Sequence, residues 1–335
     1  MNKPQKVVSI EDVARAAGVS ITTVSRVINK FPTVREENRR RVEEVIKRLN
    51  FKPNISAQRL ASGTTNAIGL EIPHYEGIFY SFYAMEIFRS VGIACDALKL
   101  DLLLHMTDGK TAINASAVGG VVFADIIHNR KHVEDLLALH VPVVVMNCFA
   151  PELNAASVSI DNVKGARTAT EYLANLGHKK IGFITGDLMS QAAEQRLEGY
   201  KISMQKMGLP FRESYVLKGD YSRKSARDAA QKFLDLKDRP TAVFVSSDDM
   251  AMEVITVFME NGLKVPDDVS VIGFDDDPVC LYGPVGLTTM RQPLKEMAQM
   301  AVKELYLKMQ DPHRSMNRII LSPELIIRDS ARPPA

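Results

Sequence analysis

The sequence lacks any apolar run approaching the roughly 18 residues of a membrane span, and Asn2, Lys3, Gln5 and Lys6 stand where a signal peptide would need its apolar segment. Both absences predict a cytoplasmic protein with no membrane partner. Cysteine is scarce. Cys95, Cys148 and Cys280 are scattered singly, which argues against a disulfide framework or a paired-cysteine zinc site and predicts buried free thiols. There is no Walker-type phosphate loop, no Gly-x-Gly-x-x-Gly after a strand, no Gly-x-Ser-x-Gly elbow and no zinc-protease helix. The common enzyme signatures are therefore missing, and no cofactor is predicted. His128 and His132 stand at i and i+4, the spacing of a helical metal chelate. No third ligand of the right type is near, so a surface helix end is the simpler reading and no metal is predicted.

What is present is enough for two or three folded units: 335 residues, of which 46% are hydrophobic. A net charge of +2 conceals an asymmetry. Up to Leu60 the chain holds 13 Lys and Arg against 6 Asp and Glu, whereas the remainder holds 29 against 34. A basic head on a mildly acidic body points to a polyanion partner for the head, or to a solvated basic face.

In the head, Ile10, Val13, Ala14 and Ala17 recur at helical spacing behind Ser9, with Glu11 and Asp12 in the first turn, so a capped amphipathic helix is predicted. Gly18 supplies a sharp turn, Ser20 can cap a second short helix, and Val24, Val27 and Ile28 form its seam. A third helix is predicted from about Arg35 to Leu49, with Val42, Val45, Ile46 and Leu49 inward. Two helices joined by a glycine turn fit a helix-turn-helix. Between Lys52 and Thr65 the composition turns small and polar, marking a boundary. The predicted organisation is a head at 1–51, a hinge at 52–65 and a core at 66–335.

From Asn66 onward short apolar strands alternate with helical stretches. "NAIGLEI", "LDLLLHM", "GGVVFAD" and "VPVVVMN" come first, and the grammar restarts at "KKIGFITG" and continues through "SYVLKG", "TAVFVSS" and "VSVIGFD". Such alternation predicts parallel sheets covered by helices, and the restart predicts two similar lobes. The fold class is therefore an all-α helix-turn-helix head plus an α/β core of two parallel-sheet, Rossmann-like subdomains. Ligands in such folds sit beyond the carboxyl ends of strands, here between lobes.

The stretches "SIEDVARAAGVSITTVSRVIN" and "NISAQRLASG", followed by a two-lobed core that runs to "LIIRDS", closely resemble the LacI/GalR family of transcription regulators, and the resemblance covers nearly the whole chain. It implies a repressor that binds palindromic double-stranded operator DNA as a homodimer and is controlled by a small molecule, most simply a carbohydrate. A purine-type corepressor is the alternative, and a DNA-binding head fused to a sugar-modifying enzyme a more distant one. The absence of a heptad tail after "RDSARPPA" predicts a dimer rather than a coiled-coil tetramer. The core is expected to resemble periplasmic binding proteins, with the chain crossing between lobes three times.

By the same resemblance the second helix enters the major groove, so Ile21, Thr22 and Arg26 are expected to face base edges. Ser9, Ser20, Thr23, Ser25 and Asn29 have short polar side chains suited to phosphates. Ser56 and Ala57 match the family's hinge helix, and Leu60 its minor-groove wedge. In the cleft, Arg196 matches an arginine that holds effector oxygens, Asp275 an acceptor of sugar hydroxyls or purine nitrogens, and Tyr221 a covering ring. His74, Tyr75, Phe79, Asp125, Asn147 and Ser247 complete the predicted effector set. The chain departs from the family in three places, the first being Ser247, where many members have an asparagine. Gly77, Ile78, Phe79 and Tyr80 replace "NPFF", and only about ten residues separate "HMTDG" from "GGVVFAD". A crossover that short cannot hold an ordinary helix, so the first lobe is expected to lack one covering helix.

Overall fold

The computed structural model describes residues 8–28, 31–51, 65–74 and 78–334. The chain divides into two compact units, one up to Thr65 and one from Asn66.

In the first unit, α1 (Ile10–Ala17) begins with a reciprocal cap: the Asp12 N–H donates to Ser9 Oγ at 3.2 Å, and the Ser9 N–H donates to Asp12 Oδ2 at 3.1 Å. Such a cap stabilises a short helix by about 1 kcal/mol. Gly18, at φ 66°, ends the helix in a conformation that a side chain disfavours. α2 (Ile21–Ile28) and α3 (Glu36–Arg48) follow. None of these helices is stable alone, and together they bury Val13, Ala14, Ala17, Val24, Val27, Val42, Val45 and Phe51.

The second unit holds two six-stranded sheets. The first lobe runs β1 (Ala67–Pro73), α4 (Phe82–Ala97), β2 (Asp101–Thr107), β3 (Gly120–Phe123), α5 (Arg130–Ala138), β4 (Val143–Met146) and β5 (Ala156–Ile160). The chain then enters the second lobe with α6 (Asn162–Asn175), β6 (Ile181–Ile184), α7 (Gln191–Lys206), β7 (Val216–Leu217), α8 (Arg223–Asp235), β8 (Ala242–Val245), α9 (Asp248–Glu260), β9 (Ser270–Asp275) and β10 (Thr288–Arg291). It returns to the first lobe for α10 (Leu294–Gln310) and β11 (Arg318–Leu321), and leaves again for β12 (Glu324–Ile326). Those are three crossings. The strand orders are β11-β5-β4-β3-β1-β2 and β12-β10-β9-β8-β6-β7, parallel throughout except for β12 on β10. Interior strands such as Val143–Met146 and Ala242–Val245 are buried at every position, as parallel strands covered on both faces must be.

Each lobe packs helices on both faces of its sheet, but unequally. In the first lobe, α4 and α10 cover one face through Ile87, Val91, Met297, Ala301 and Leu305. The other face has α5 and the crossover from β2 to β3, which forms only a single 3-10 turn at Ala115–Ala117. Ile113 of that crossover lies against Gly69 of β1, where a Cβ would collide with it. β2 is only partly covered: Leu102 packs on the core, while Leu103, Leu104 and Met106 are each close to two-fifths exposed.

The histidine pair differs from expectation. His128 lies in a turn before α5 at φ 61°, and His132 is buried rather than on a surface helix end. The His132 Nδ1 lies 2.9 Å from Glu71 Oε1, and Asn129 Nδ2 donates to the same oxygen at 3.0 Å. Glu71 is a carboxylate on the face of β1 that the crossover leaves thin, and these two side chains compensate its burial. Among the described residues no group of three or more His, Cys, Asp or Glu is placed to hold a metal, and no helix is long and apolar enough to cross a membrane. The three thiols are free and buried.

Candidate functional site

In the head, Ser20 Oγ accepts the Thr23 N–H at 3.2 Å and pairs with the Thr23 hydroxyl at 2.9 Å, which fixes the start of α2. With Val24 and Val27 turned inward, Ile21, Thr22 and Arg26 are exposed, while Thr23 and Ser25 are half-buried. α2 thus presents an apolar contact, a hydroxyl and a guanidinium outward, the groups that read thymine methyls and guanine edges. The Ser9 hydroxyl is engaged in its cap, donating to Glu11 Oε2 at 2.9 Å. Asn29, Ser56, Ala57, Leu60 and Tyr75 lie outside the described residues.

In the core, strand ends from both lobes supply polar groups. Asp125 follows β3 and Asn147 follows β4; Asn147 Nδ2 donates to Asp125 Oδ2 at 2.9 Å, and the Ile126 N–H donates to Oδ1 at 2.7 Å. Both side chains are buried, and Asn147 Oδ1 has no partner among the described residues. Burial pushes Asp125 up to about 6, against the opposing pull of these donors.

From the second lobe, Arg196 is buried on α7. Its Nε donates to Asn162 Oδ1 at 2.9 Å, one terminal nitrogen donates to the Ser246 carbonyl at 2.6 Å, and the guanidinium lies 3.7 Å from the centre of the Phe274 ring. Gly199, one turn along, makes this placement possible, since a Cβ there would strike the Val163 carbonyl and force α7 off α6. The arginine is therefore held rigidly by its neighbours. Asp275 ends β9; its carboxylate accepts from Gln292 Nε2, and burial, then the neighbouring Asp248, hold it well above the usual carboxylate range. Asp248, fully buried, accepts from the Thr289 hydroxyl at 2.6 Å, the Asp277 N–H at 2.9 Å and the Cys280 thiol at 3.0 Å. Ser247 caps α9. Tyr221 lies on Gly186, and burial pushes its hydroxyl up to about 12.

Asn147, Tyr221 and Asp275 take φ values of 59°, 69° and 136°. Side chains at such φ values are uncommon, and here they fall on three residues of this polar cluster. The cleft is also acidic: Asp125, Asp248 and Asp275 are buried against one buried cation, Arg196. Such a site favours a ligand rich in hydrogen-bond donors over an anion.

The remaining predicted residues lie elsewhere. His74 is exposed at the end of β1, and Phe79, 60% exposed, borders a shallow apolar groove with Met85, Phe88, Leu104 and Met106 rather than the polar cluster. Sequence reasoning missed Gln292, which holds Asp275, Asn162, which holds Arg196, and the buried Asp248 beside Asp275. Gln292 follows β10 directly, a position that the strand-end rule would have flagged had β10 been recognised.

Residues 9–54 match the model of bacterial regulatory proteins of the lacI family, and residues 170–331 match a periplasmic binding protein-like domain. The chain is 35% identical over 307 residues to catabolite control protein A of Priestia megaterium, covering 89% of this chain and 91% of that protein. It is 33% identical over 337 residues to the transcriptional repressor PurR of Photobacterium profundum, covering 97% and 98%. Among solved structures it resembles a lac repressor dimer bound to operator and the anti-inducer ONPF, with TM-score 0.84 at 26% identity over 98% of this chain and 100% of that one. A second is the regulator CelR in complex with cellobiose, with TM-score 0.72 at 27% identity over 96% and 99%. The chain belongs to the lacI family of bacterial regulatory proteins.

Proposed function

We propose that the protein is a cytoplasmic, homodimeric, sequence-specific repressor whose affinity for a palindromic operator is set by a donor-rich, uncharged or cationic small molecule, most simply a sugar, held between the lobes. The observation that carries the effector reading is that Asp125, bonded to Asn147 in one lobe, lies within electrostatic reach of Arg196 in the other, and Tyr221 within reach of Asp125, Arg196 and Asp275 together, with Gln292 bonded to Asp275. Carboxylates accept from hydroxyls, Arg196 donates to ring or glycosidic oxygens, and Tyr221 covers an apolar sugar face. A purine would use the same acceptors with its ring on Tyr221.

In the head, Ile21, Thr22 and Arg26 read bases, while Ser20, Thr23, Ser25 and Asn29 meet phosphates. Ser56, Ala57 and Leu60 are assigned to the central minor groove. The ligand is bound and released unchanged. By linkage, an effector that weakens operator binding by some factor binds the operator complex more weakly by the same factor.

The test is a thermal-shift screen of wild type and Asp275→Ala against neutral sugars, sugar phosphates and purines. A neutral sugar or purine that stabilises wild type and not the variant supports the reading. Stabilisation by sugar phosphates alone, undiminished in the variant, would sink it.

A further inference from the structure

Rotation of one lobe against the other has to be absorbed where the chain passes between them. The first crossing is Asp161, between β5 and α6; the second is Gln292 and Pro293, between β10 and α10; the third is Ser322 and Pro323, between β11 and β12. Each meets the polar cluster of the cleft differently. Gln292 is bonded to Asp275 by its side chain and also by its main chain, the Gln292 N–H donating to the Asp275 carbonyl at 3.3 Å. A substitution there alters an effector-holding residue directly. Pro323 meets the cluster through apolar packing: a Cβ on Gly165 of α6 would strike both Pro323 and the Phe274 ring, and that ring lies under the Arg196 guanidinium. Such contacts are non-directional and can slide.

The first crossing reaches the cleft through one buried side chain. Asn162, 1% exposed, opens α6 directly after Asp161. Its Nδ2 donates to the Ile160 carbonyl at 3.2 Å and to Gln195 Oε1 at 3.5 Å, and its Oδ1 accepts from Arg196 Nε at 2.9 Å. One amide thus clamps the end of β5 in the first lobe to α7 in the second. The same crossing is laced to the third, since the Asp161 N–H donates to the Leu321 carbonyl at 2.9 Å and Lys164 Nζ to Ser322 Oγ at 3.2 Å. A buried hydrogen bond from a guanidinium is directional and costly to leave unmade. A shift of Arg196 toward a ligand oxygen therefore pulls on Asn162, and through it on the backbone of two crossings.

We propose that Asn162 is the positioning residue that converts engagement of Arg196 by an effector into rotation of the lobes. This rests on the reading of a cleft-bound effector and adds to it the residue that couples the cleft to the hinge. Binding and coupling are separable at Asn162 and not at Gln292, because Asn162 acts through Arg196 while Asp125, Asp275 and Gln292 hold the ligand beside it.

The test uses the full chain as wild type, Asn162→Leu and Asn162→Asp, with cellobiose, ribose, galactose and hypoxanthine as probes. Calorimetry measures binding of each probe, and a palindromic duplex selected from a random pool gives the ratio of operator dissociation constants with and without saturating probe. For a probe that moves the wild-type ratio at least tenfold, Asn162→Leu should bind it within about fivefold of wild type yet bring the ratio below about two. Asn162→Asp keeps an oxygen for Arg196 to donate to, and should hold the ratio within about threefold of wild type. A merely structural role would lower the thermal midpoint and leave the ratio alone. A ratio unchanged in Asn162→Leu, probe binding abolished there, or a ratio lost equally in both variants overturns the proposal. A wild type that no probe moves overturns the effector reading and the coupling with it. A ligand-free arm depends on no probe: in Arg196→Met, Asn162 loses its anchor, so hydrogen exchange over residues 159–164 should quicken at least tenfold. Unchanged exchange there contradicts the link between Arg196 and the crossing.

Discussion

Gln191, the first residue of α7 in the second lobe, exchanges two hydrogen bonds with the main chain of Phe149 in the first: the Phe149 N–H donates to Oε1 at 2.7 Å, and Nε2 donates to the Phe149 carbonyl at 3.0 Å. This is a two-way clasp across the cleft mouth, built from one side chain and one peptide unit. Its exposure limits its worth to about 1 kcal/mol, or roughly fivefold in an open-to-closed equilibrium. Gln191→Ala should therefore enlarge the radius of gyration of the ligand-free protein in X-ray scattering and weaken effector binding by a similar factor. An unchanged scattering profile and affinity would remove the clasp from the mechanism.

Arg26→Ala is expected to lose about 1 to 3 kcal/mol of binding on the cognate operator and little on random duplex. Competition binding at one fixed salt concentration distinguishes this from a phosphate contact, which would weaken both alike.

The buried carboxylates make a prediction about pH. Asp275 is held well above the usual carboxylate range by burial and by Asp248, and Asp125 is pushed up to about 6 by burial. The folded protein then keeps protons that the unfolded chain releases, so the stability these groups contribute is full below the ordinary value of 3.8 and declines as pH rises through the raised ones. Asp275→Asn removes one of those titrating groups. The midpoint of the variant minus that of wild type should grow between about pH 5 and about pH 8; a difference that stays constant in scanning fluorimetry would contradict the assignment.

Glu71 is fully buried and bonded to His132 and Asn129. Glu71→Ala strands both donors and should cost about 3 kcal/mol in urea unfolding, whereas Glu71→Val with Asn129→Ala and His132→Leu should recover most of that loss. Equal stability of the single and triple variants would show that the cluster's polarity is irrelevant.

The head was legible because its signals are local. Ser9 with Asp12, Gly18 and the Val24/Val27 seam each act within one turn, and the structure uses all of them. The two-lobed core was legible from repeated apolar runs, and the missing helix from simple chain length between β2 and β3. What escaped notice depends on long-range placement. Glu71 and His132 are 61 residues apart and meet only after the sheet forms, so His132 read as a surface residue. Asp248 escaped for the same reason, since nothing near it in sequence marks it as the partner of Thr289, 41 residues away, whereas Gln292 escaped because the short strand before it was not recognised. Phe79 follows β1, as a cleft residue would, but the turn at Ile78–Tyr80 carries it to the flank beside α4.

The proposal that one cleft governs operator affinity can be checked by fluorescence anisotropy. A palindromic duplex selected by the protein from a random pool is titrated with wild type and Asp275→Ala, with and without the compound that gives the largest thermal shift. Equal operator affinity is expected for both proteins without ligand, with a ligand-dependent change of at least tenfold in wild type that vanishes in the variant. An affinity unmoved by any stabilising ligand, or moved equally in both proteins, would contradict it.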